Sequence, residues 1–290
     1  MAKKEFSDVV KDHLKEYCNK LKFPNEGTWR GNGSYAHILR LEQRGNKEEV
    51  VKKYNVLKCC KQEPFLLQGK CHQYAHHLNS SQLMCYNYFR PYINNAGKPT
   101  KELFCILKSI GVQIEYSDDA KCEFEYEQEE DSWKHEGQQT RFGFTGRTNF
   151  DFYVKSGDVE VFFEIKYTEN GFGTAKNDDA HKIKYCQFYK NKIDNCNALE
   201  NKIEWGDEFR KNYQIIRNVI RATDPKKYVI FIYDCNNTKI GTQLENFIKK
   251  YVSDEYKNNI KGVTWQNLVG YLKPSEHYDQ FYCKYLSYKN

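Results

Sequence analysis

The sequence has no apolar run long enough to cross a membrane, and its N-terminus lacks the apolar segment of a secretory signal. Its 11 cysteines are scattered without a C-x-x-C pair, which argues against a disulfide framework. The Gly-rich stretch 27–37, GTWRGNGSYAH, lacks the G-K-[ST] ending of a phosphate loop, so no nucleotide cofactor is expected and a loop that contacts DNA is the alternative. These absences favour a cytoplasmic protein with free thiols and no membrane partner.

The composition is that of a folded chain with an aromatic core. The 290 residues are 39% hydrophobic, and 23 tyrosines and 18 phenylalanines supply much of the apolar mass. Such a length allows one large domain, or one domain with an appendage. The formal net charge of +6 permits a polyanionic partner but does not require one.

Apolar periodicity predicts helices, then a meander of three strands, then further helices around one more strand. The predicted helices span 5–21, 70–93 (as one helix or as a pair restarting at Asn79–Gln82), 100–110, 180–193, 207–222 and 242–252. The predicted strands span 121–127, 147–154, 159–167 and 228–234, with a last short element at 263–269. This order is typical of an α/β or α+β fold with a mixed central sheet flanked by helices.

The second and third predicted strands form a hairpin with charges on one face. If KSGD (155–158) is the turn, Val154 lies opposite Val159, and Asp151 becomes the diagonal neighbour of Glu164, at about 7–8 Å. Lys166 lies two residues further along the same face, because side chains alternate across a strand. The pattern therefore predicts two carboxylates and one ammonium group at a common site.

This set of side chains suits metal-assisted phosphodiester hydrolysis. Mg²⁺ prefers oxygen ligands and usually takes only one or two protein carboxylates, for which Asp151 and Glu164 are the candidates. A bound metal polarises the phosphoryl oxygen and lowers the pKa of a bound water, and Lys166 is expected to position or activate that water. The alternative is an exposed Glu–Lys pair on a sheet surface, which leaves Asp151 unexplained.

The D-x12-E-x-K spacing resembles the active-site signature of the PD-(D/E)xK nuclease superfamily, which includes many restriction endonucleases. Phe150 stands where the superfamily often has proline. Five blocks in order look like a bacterial family assigned as restriction endonucleases within that superfamily, over about residues 70–235. They are SSQLMCYNYF (80–89), FEYE (124–127), TNFD (148–151), EIKYTENGFG (164–173) and YQIIRN (213–218).

The resemblance implies a restriction-endonuclease-like core over residues 66–290, preceded by a helix and loop extension over residues 1–65. It implies a Mg²⁺-dependent enzyme that cuts double-stranded DNA at a specific sequence. The same core serves repair and recombination nucleases, so a structure-specific nuclease remains an alternative, as does a non-catalytic DNA-binding protein. One catalytic hairpin per chain predicts a homodimer for cutting both strands.

A further acidic ligand is expected from strand 121–127, where Glu123, Glu125 and Glu127 share a face; the resemblance favours Glu125. The resemblance also implies that a glutamate or glutamine of the preceding helix can approach the metal, and Gln82 is the candidate because residues 70–95 contain no Asp or Glu. The structural alternatives are a solvated strand face for the glutamates and a helix cap for Gln82.

The helix 207–222 carries an apolar stripe and a polar stripe. The polar residues are candidates for DNA contact, and an ordinary solvated helix face is the alternative. The apolar stripe is Phe209, Tyr213, Ile216 and Ile220, and the polar stripe is Arg210, Gln214, Arg217 and Arg221. Gln214 and Arg217 fall within the YQIIRN block. Lys182 and Lys184 lie among aromatic residues, a mixture that also suits nucleic acid, although a helix with its apolar face buried explains the aromatic residues equally well.

Two further expectations concern base recognition and zinc. Base-reading residues are expected in the N-terminal extension or in the loop 128–146, because metal and scissile phosphate occupy the catalytic hairpin. The Cys and His residues between Cys59 and His77 match no common zinc-site spacing.

Overall fold

The computed structural model describes residues 4–41, 46–128, 139–140, 143–144 and 148–289, and its centre is a five-stranded mixed sheet. Its strands span Lys121–Glu127 (β3), Asn149–Ser156 (β6), Val159–Ile165 (β7), Lys227–Tyr233 (β8) and Ile260–Thr264 (β9). They lie side by side in that order, antiparallel from β3 to β7 and parallel from β7 to β9. This mixed α+β architecture confirms the predicted fold class and fits a restriction-endonuclease-like core.

Two small antiparallel pairs lie outside this sheet. The first joins β1 (Gly27–Trp29) to β2 (Asn32–Tyr35), within a stretch that was predicted to be a loop. The second joins β4 (Gln139–Thr140) to β5 (Gly143–Phe144). Most of the predicted loop 128–146 otherwise lies outside the described residues.

The helices surround the sheet, and most lie where the periodicity predicts them. They span Phe6–Lys20, Lys47–Val50, Ser81–Phe89, Lys101–Ser109, Asp179–Lys184, Lys190–Asp194, Asp207–Lys211, Tyr213–Val219, Thr238–Tyr251, Trp265–Gly270 and Glu276–Tyr285. The predicted 70–93 helix begins only at Ser81, where the Ser80 hydroxyl accepts a hydrogen bond from the backbone N–H of Leu83. The C-terminal helix and strand β9 were not predicted.

Both faces of the sheet are buried. Phe152, Phe163 and Ile165 pack on one face with the Ser81–Phe89 helix and the first helix. Tyr153, Phe162 and Phe231 pack on the other, under the helices of residues 179–222 and 238–251. The predicted apolar face of the hairpin is confirmed for Phe152, Val154, Val161, Phe163 and Ile165, whereas Phe150, predicted on the same face, packs in the opposite core. That opposite face also carries buried charges, with Glu160 at one end of β7 and Glu164 at the other.

The register of the β6–β7 hairpin differs from the predicted one by two residues. Its turn is Gly157-Asp158 rather than the four residues KSGD, so Ser156 pairs with Val159 and Val154 with Val161. The strand continues to Ser156 because its hydroxyl is buried and donates to the carbonyl of Glu115. A shift of two residues keeps the paired residues 152–156 on their predicted faces, and Asp151 still lies beside the end of β7, where the Ile165 N–H donates to it.

The N-terminal segment shares its core with the sheet. Val10, Leu14 and Leu57 belong to the same buried cluster as Phe163. The boundary at residue 65 stays a prediction, although the two sides pack as one body. All 11 cysteines are free thiols, and within the described residues no helix has both the length and the apolar character to cross a membrane.

Candidate active site

A cleft of about 890 Å³ opens where strands β6 and β7 meet the N-terminal segment. Its lining contains all five residues that the sequence predicts for catalysis: Gln82, Glu125, Asp151, Glu164 and Lys166. The fold thus brings together side chains from the Ser81–Phe89 helix and from three neighbouring strands or their ends. We call it the carboxylate cleft.

Glu164 is held by three donors and is almost completely buried. Its Oε1 accepts hydrogen bonds from Lys166 Nζ (2.8 Å) and Gln214 Nε2 (2.7 Å), and its Oε2 accepts one from Asn218 Nδ2 (2.9 Å). Asn218 was not predicted, although it lies four residues after Gln214 in the YQIIRN block and hence on the same helix face. These donors fix the carboxylate in one orientation.

Asp151 and Lys166 complete the charged group. Asp151 Oδ2 accepts a hydrogen bond from the backbone N–H of Ile165 at 2.6 Å, which ties β6 to the end of β7. Burial raises the pKa of Asp151, and the carboxylates of Glu164 and Glu125 raise it further. Burial alone would lower the pKa of Lys166, but Glu164, Glu169 and Asp151 hold it above its ordinary value. Several carboxylates therefore face one protonated amine.

Glu125 reaches the cleft through an irregular backbone. Its φ of 54° is in the left-handed region, and strand pairing skips it between Phe124–Phe152 and Tyr126–Phe150. This conformation costs a residue with a side chain about 1–2 kcal/mol, and such strain tends to collect at functional sites. Glu123 and Glu127 line a second cleft of about 670 Å³, which Glu125 also reaches.

The carboxylate of Glu125 has two partners and a perturbed pKa. It accepts hydrogen bonds from Gln82 Nε2 and Asn149 Nδ2, both at 2.6 Å. Burial, with the Glu164 carboxylate adding to it, raises the pKa of Glu125 to about 7 against the opposing effect of these donors. Glu125 therefore changes charge close to neutral pH.

The shifted pKa of Glu125 predicts a pH-dependent stability. A carboxyl group with a higher pKa in the folded than in the unfolded chain destabilises the fold as pH rises from about 4.3 towards its folded pKa. In chelator, the free energy of unfolding should fall over this range, and the fall should be smaller in Glu125→Gln. Chemical denaturation at a series of pH values measures it. Glu123→Gln, on the exposed part of the same strand, is the control and should behave like the wild-type protein.

The carboxylate oxygens in the cleft are suitable ligands for a hard divalent cation. Within the described residues, no group of three or more His, Cys, Asp and Glu side chains is placed to hold a metal ion, and this includes the Cys and His residues of 59–77. Mg²⁺ commonly binds through one or two carboxylates and keeps several waters. Burial, with the Glu164 and Glu125 carboxylates adding to it, raises the pKa of Asp151, and a divalent cation would oppose this shift by stabilising the ionised form.

Of the five residues predicted to bind DNA, Gln214 lines the carboxylate cleft. Arg217 donates through Nε to the Thr148 hydroxyl at 2.9 Å and lies over the Tyr213 ring, and Arg210 pairs with Asp207. Lys182 is exposed, whereas Lys184 is buried. The apolar stripe of this region is buried as predicted; roles in DNA binding stay predictions.

One comparison with known proteins gives a match. A family model described as Restriction Endonuclease associating with ARP matches residues 11–286. The match extends on both sides of residues 70–235, over which the sequence blocks were recognised. No curated protein and no solved structure matches the chain.

Proposed function

The chain belongs to the family of restriction endonucleases associating with ARP, and from this premise we propose that it is a Mg²⁺-dependent endodeoxyribonuclease that cuts double-stranded DNA at a specific sequence. The observation that carries the proposal is the convergence of Asp151, Glu164 and Lys166 in one cleft. Family membership supports the nuclease activity, and the carboxylate oxygens of the cleft support the dependence on Mg²⁺.

Asp151 and Glu164 are the residues that would hold the cation. When bound, Mg²⁺ supplies a Lewis acid for the phosphoryl oxygen and a water of lowered pKa. Gln214 and Asn218 position Glu164, since their amides donate to its two oxygens and leave it one orientation. Glu125 adds a carboxylate at the rim, oriented by Gln82.

Lys166 acts in this proposal as a charged donor rather than as a base. Its pKa is held above the ordinary value, so the amine keeps its proton at neutral pH. A protonated amine can orient the attacking water and stabilise the negative charge that develops on the phosphate. Of the two predicted roles, positioning the water is therefore favoured over activating it.

Digestion of a defined plasmid with Mg²⁺, followed by mapping of the ends, tests the proposal. We expect a discrete set of fragments with uniform ends, and no cleavage in chelator. A random smear of fragments would contradict the proposed sequence specificity but not the proposed nuclease activity. Cleavage confined to branched or flapped DNA would point to repair instead, and intact DNA with either Mg²⁺ or Mn²⁺ would contradict the whole proposal.

A homodimer on DNA is part of the same proposal. One carboxylate cleft per chain provides one active site, and a palindromic site is matched by a two-fold symmetric pair of chains. Light scattering of the protein with a cognate duplex in chelator should therefore give the mass of two chains on one duplex. A complex with one chain that still cuts both strands together would contradict it.

A further inference from the structure

Part of the wall of the carboxylate cleft comes from the N-terminal segment. It includes the β1–β2 pair, residues 27–35, which we call the aromatic hairpin. Trp29 and Tyr35 line the cleft and, at 46% and 37%, are among the more exposed large hydrophobic side chains of the described residues. No Asp or Glu occurs from Gly27 to Ile38. A neutral-to-basic, ring-bearing surface thus lies in the same cleft as the carboxylates.

The turn of the aromatic hairpin places an arginine at its tip. Arg30 and Gly31 have φ angles of 51° and 77°, and two left-handed central residues are characteristic of a type I′ turn. Asn-Gly or Gly-Gly adopts this turn without difficulty, whereas an arginine at the first position is strained by about 1–2 kcal/mol. Backbone strain of this kind tends to occur at functional sites, so the Arg30 side chain is a candidate for ligand contact.

The Arg30 side chain is already ordered. Its guanidinium lies 5.3 Å from the centre of the Trp29 ring, and its Nε donates to the Tyr74 hydroxyl at 3.1 Å. Among the described residues it has no other hydrogen-bond partner, so the two terminal nitrogens keep their donors for a ligand. A guanidinium fork held in this way loses little entropy on binding a planar pair of acceptors.

The aromatic hairpin is fixed at its base and exposed elsewhere. Gly27 is buried, and its N–H donates to the carbonyl of Ile38 at 2.9 Å. A Cβ at Gly27 would lie 2.5 Å from the Leu39 carbonyl oxygen, so this anchor requires glycine. Residues 28–35 are exposed on both faces of the ribbon. Since two strands alone are marginally stable, the anchor at the base supports the projecting ribbon.

We propose that the aromatic hairpin reads base edges next to the scissile phosphate, with Arg30 contacting a guanine in the major groove. The inference rests on the proposed function. The major groove admits a two-stranded ribbon, and an arginine fork on guanine O6 and N7 is the commonest specific contact. Trp29 and Tyr35 supply apolar surface for the neighbouring bases. Continuity with the carboxylate cleft supports duplex DNA as the occupant.

The test is Arg30→Gly, compared with Arg40→Ala in digestion of a library with a randomised recognition site. Glycine relieves the left-handed strain while it removes the fork, so a loss of recognition cannot be assigned to a damaged turn. Arg40 is an exposed arginine of the same segment that lies outside the aromatic hairpin and pairs with Glu26, whereas Arg30 adjoins the cleft through Trp29. We expect Arg30→Gly to lose discrimination at one base pair, on the order of 10- to 100-fold, while Arg40→Ala keeps it.

The outcomes separate this inference from the proposed function. If wild-type protein cuts no DNA, the function and the reading element both fail. If wild-type protein cuts at a defined sequence and Arg30→Gly keeps full discrimination, only the hairpin inference fails. A uniform loss of affinity on all sequences, with the salt slope reduced by about one, would make Arg30 a phosphate contact and overturn base reading.

Discussion

Asp151→Asn is expected to abolish DNA cleavage and, at the same time, to stabilise the metal-free protein. Activity should fall by at least about 10³-fold, because the substitution removes a carboxylate from the proposed metal site. The fold should be preserved, since the amide oxygen of asparagine can still accept the hydrogen bond from the Ile165 N–H. Cleavage rates on a cognate plasmid and the melting temperature in chelator measure the two effects.

The expected gain in stability follows from the direction of the pKa shift. Burial and the neighbouring carboxylates raise the pKa of Asp151 in the folded protein. Such a group destabilises the fold at pH values above its unfolded pKa, because ionisation is disfavoured in the folded protein and unhindered in the unfolded chain. The gain on substitution should accordingly grow as pH rises above about 4, the ordinary pKa of an aspartate.

In Mg²⁺ the wild-type protein should have a higher melting temperature than Asp151→Asn, which is the reverse of their order in chelator. A cation that binds only the folded state raises the melting temperature, so wild-type protein should gain from Mg²⁺ and Asp151→Asn should gain little. Asp158→Asn is the matched control, since Asp158 lies exposed at the turn of the same hairpin and pairs with Lys226. A fully active Asp151→Asn protein would contradict the metal assignment. So would a Mg²⁺-induced rise in melting temperature that is equal in the wild-type and Asp151→Asn proteins.

The fold could be predicted where it follows from the local periodicity of apolar residues. It could not be predicted where it depends on a contact between residues far apart in the sequence. Alternation of Phe124 and Tyr126 with the glutamates gave strand β3 its observed bounds. The left-handed Glu125 leaves no mark in that pattern, and it turns Phe124 and Tyr126 towards opposite cores. The hairpin register depended on Ser156 meeting Glu115, a contact 41 residues apart.

The candidate site follows the same division. Asp151, Glu164 and Lys166 lie on one hairpin, so their meeting could be worked out from strand geometry alone. Gln82 and Glu125 are 43 residues apart, and only a resemblance suggested that they approach the site. The aromatic hairpin was interpreted as a loop, because Arg30-Gly31 lacks the Asn-Gly signal by which such turns are recognised.

Breaking the Lys166–Glu164 pair should have the largest effect on stability. The two side chains meet at 2.8 Å and are 9% and 5% exposed. Lys166→Met leaves several buried carboxylates without their cation, and removing one partner of a buried pair typically costs about 3–5 kcal/mol. Glu164→Gln should cost less, because Glu169 and Asp151 still accompany the amine. Denaturant unfolding in chelator gives both values.

The double variant Lys166→Met/Glu164→Gln separates the structural role of the pair from the catalytic one. Without either charge, the protein should recover part of the lost stability, with a coupling energy of about 2 kcal/mol. It should nevertheless cut no DNA, because a metal ligand and the positioning amine are both missing. Loss of cleavage in a protein that is demonstrably folded cannot then be assigned to unfolding.

The control cycle uses Lys227 and Glu160, a pair at 3.6 Å on neighbouring strands whose side chains are 17% and 11% exposed. Glu160 lines the second cleft and not the carboxylate cleft, so this cycle should change stability and leave cleavage intact. Additive costs at Lys166 and Glu164 would show that the two charges do not depend on each other in the fold. Cleavage by Lys166→Met at the wild-type rate would remove Lys166 from the chemistry, because methionine can neither donate a hydrogen bond nor carry charge.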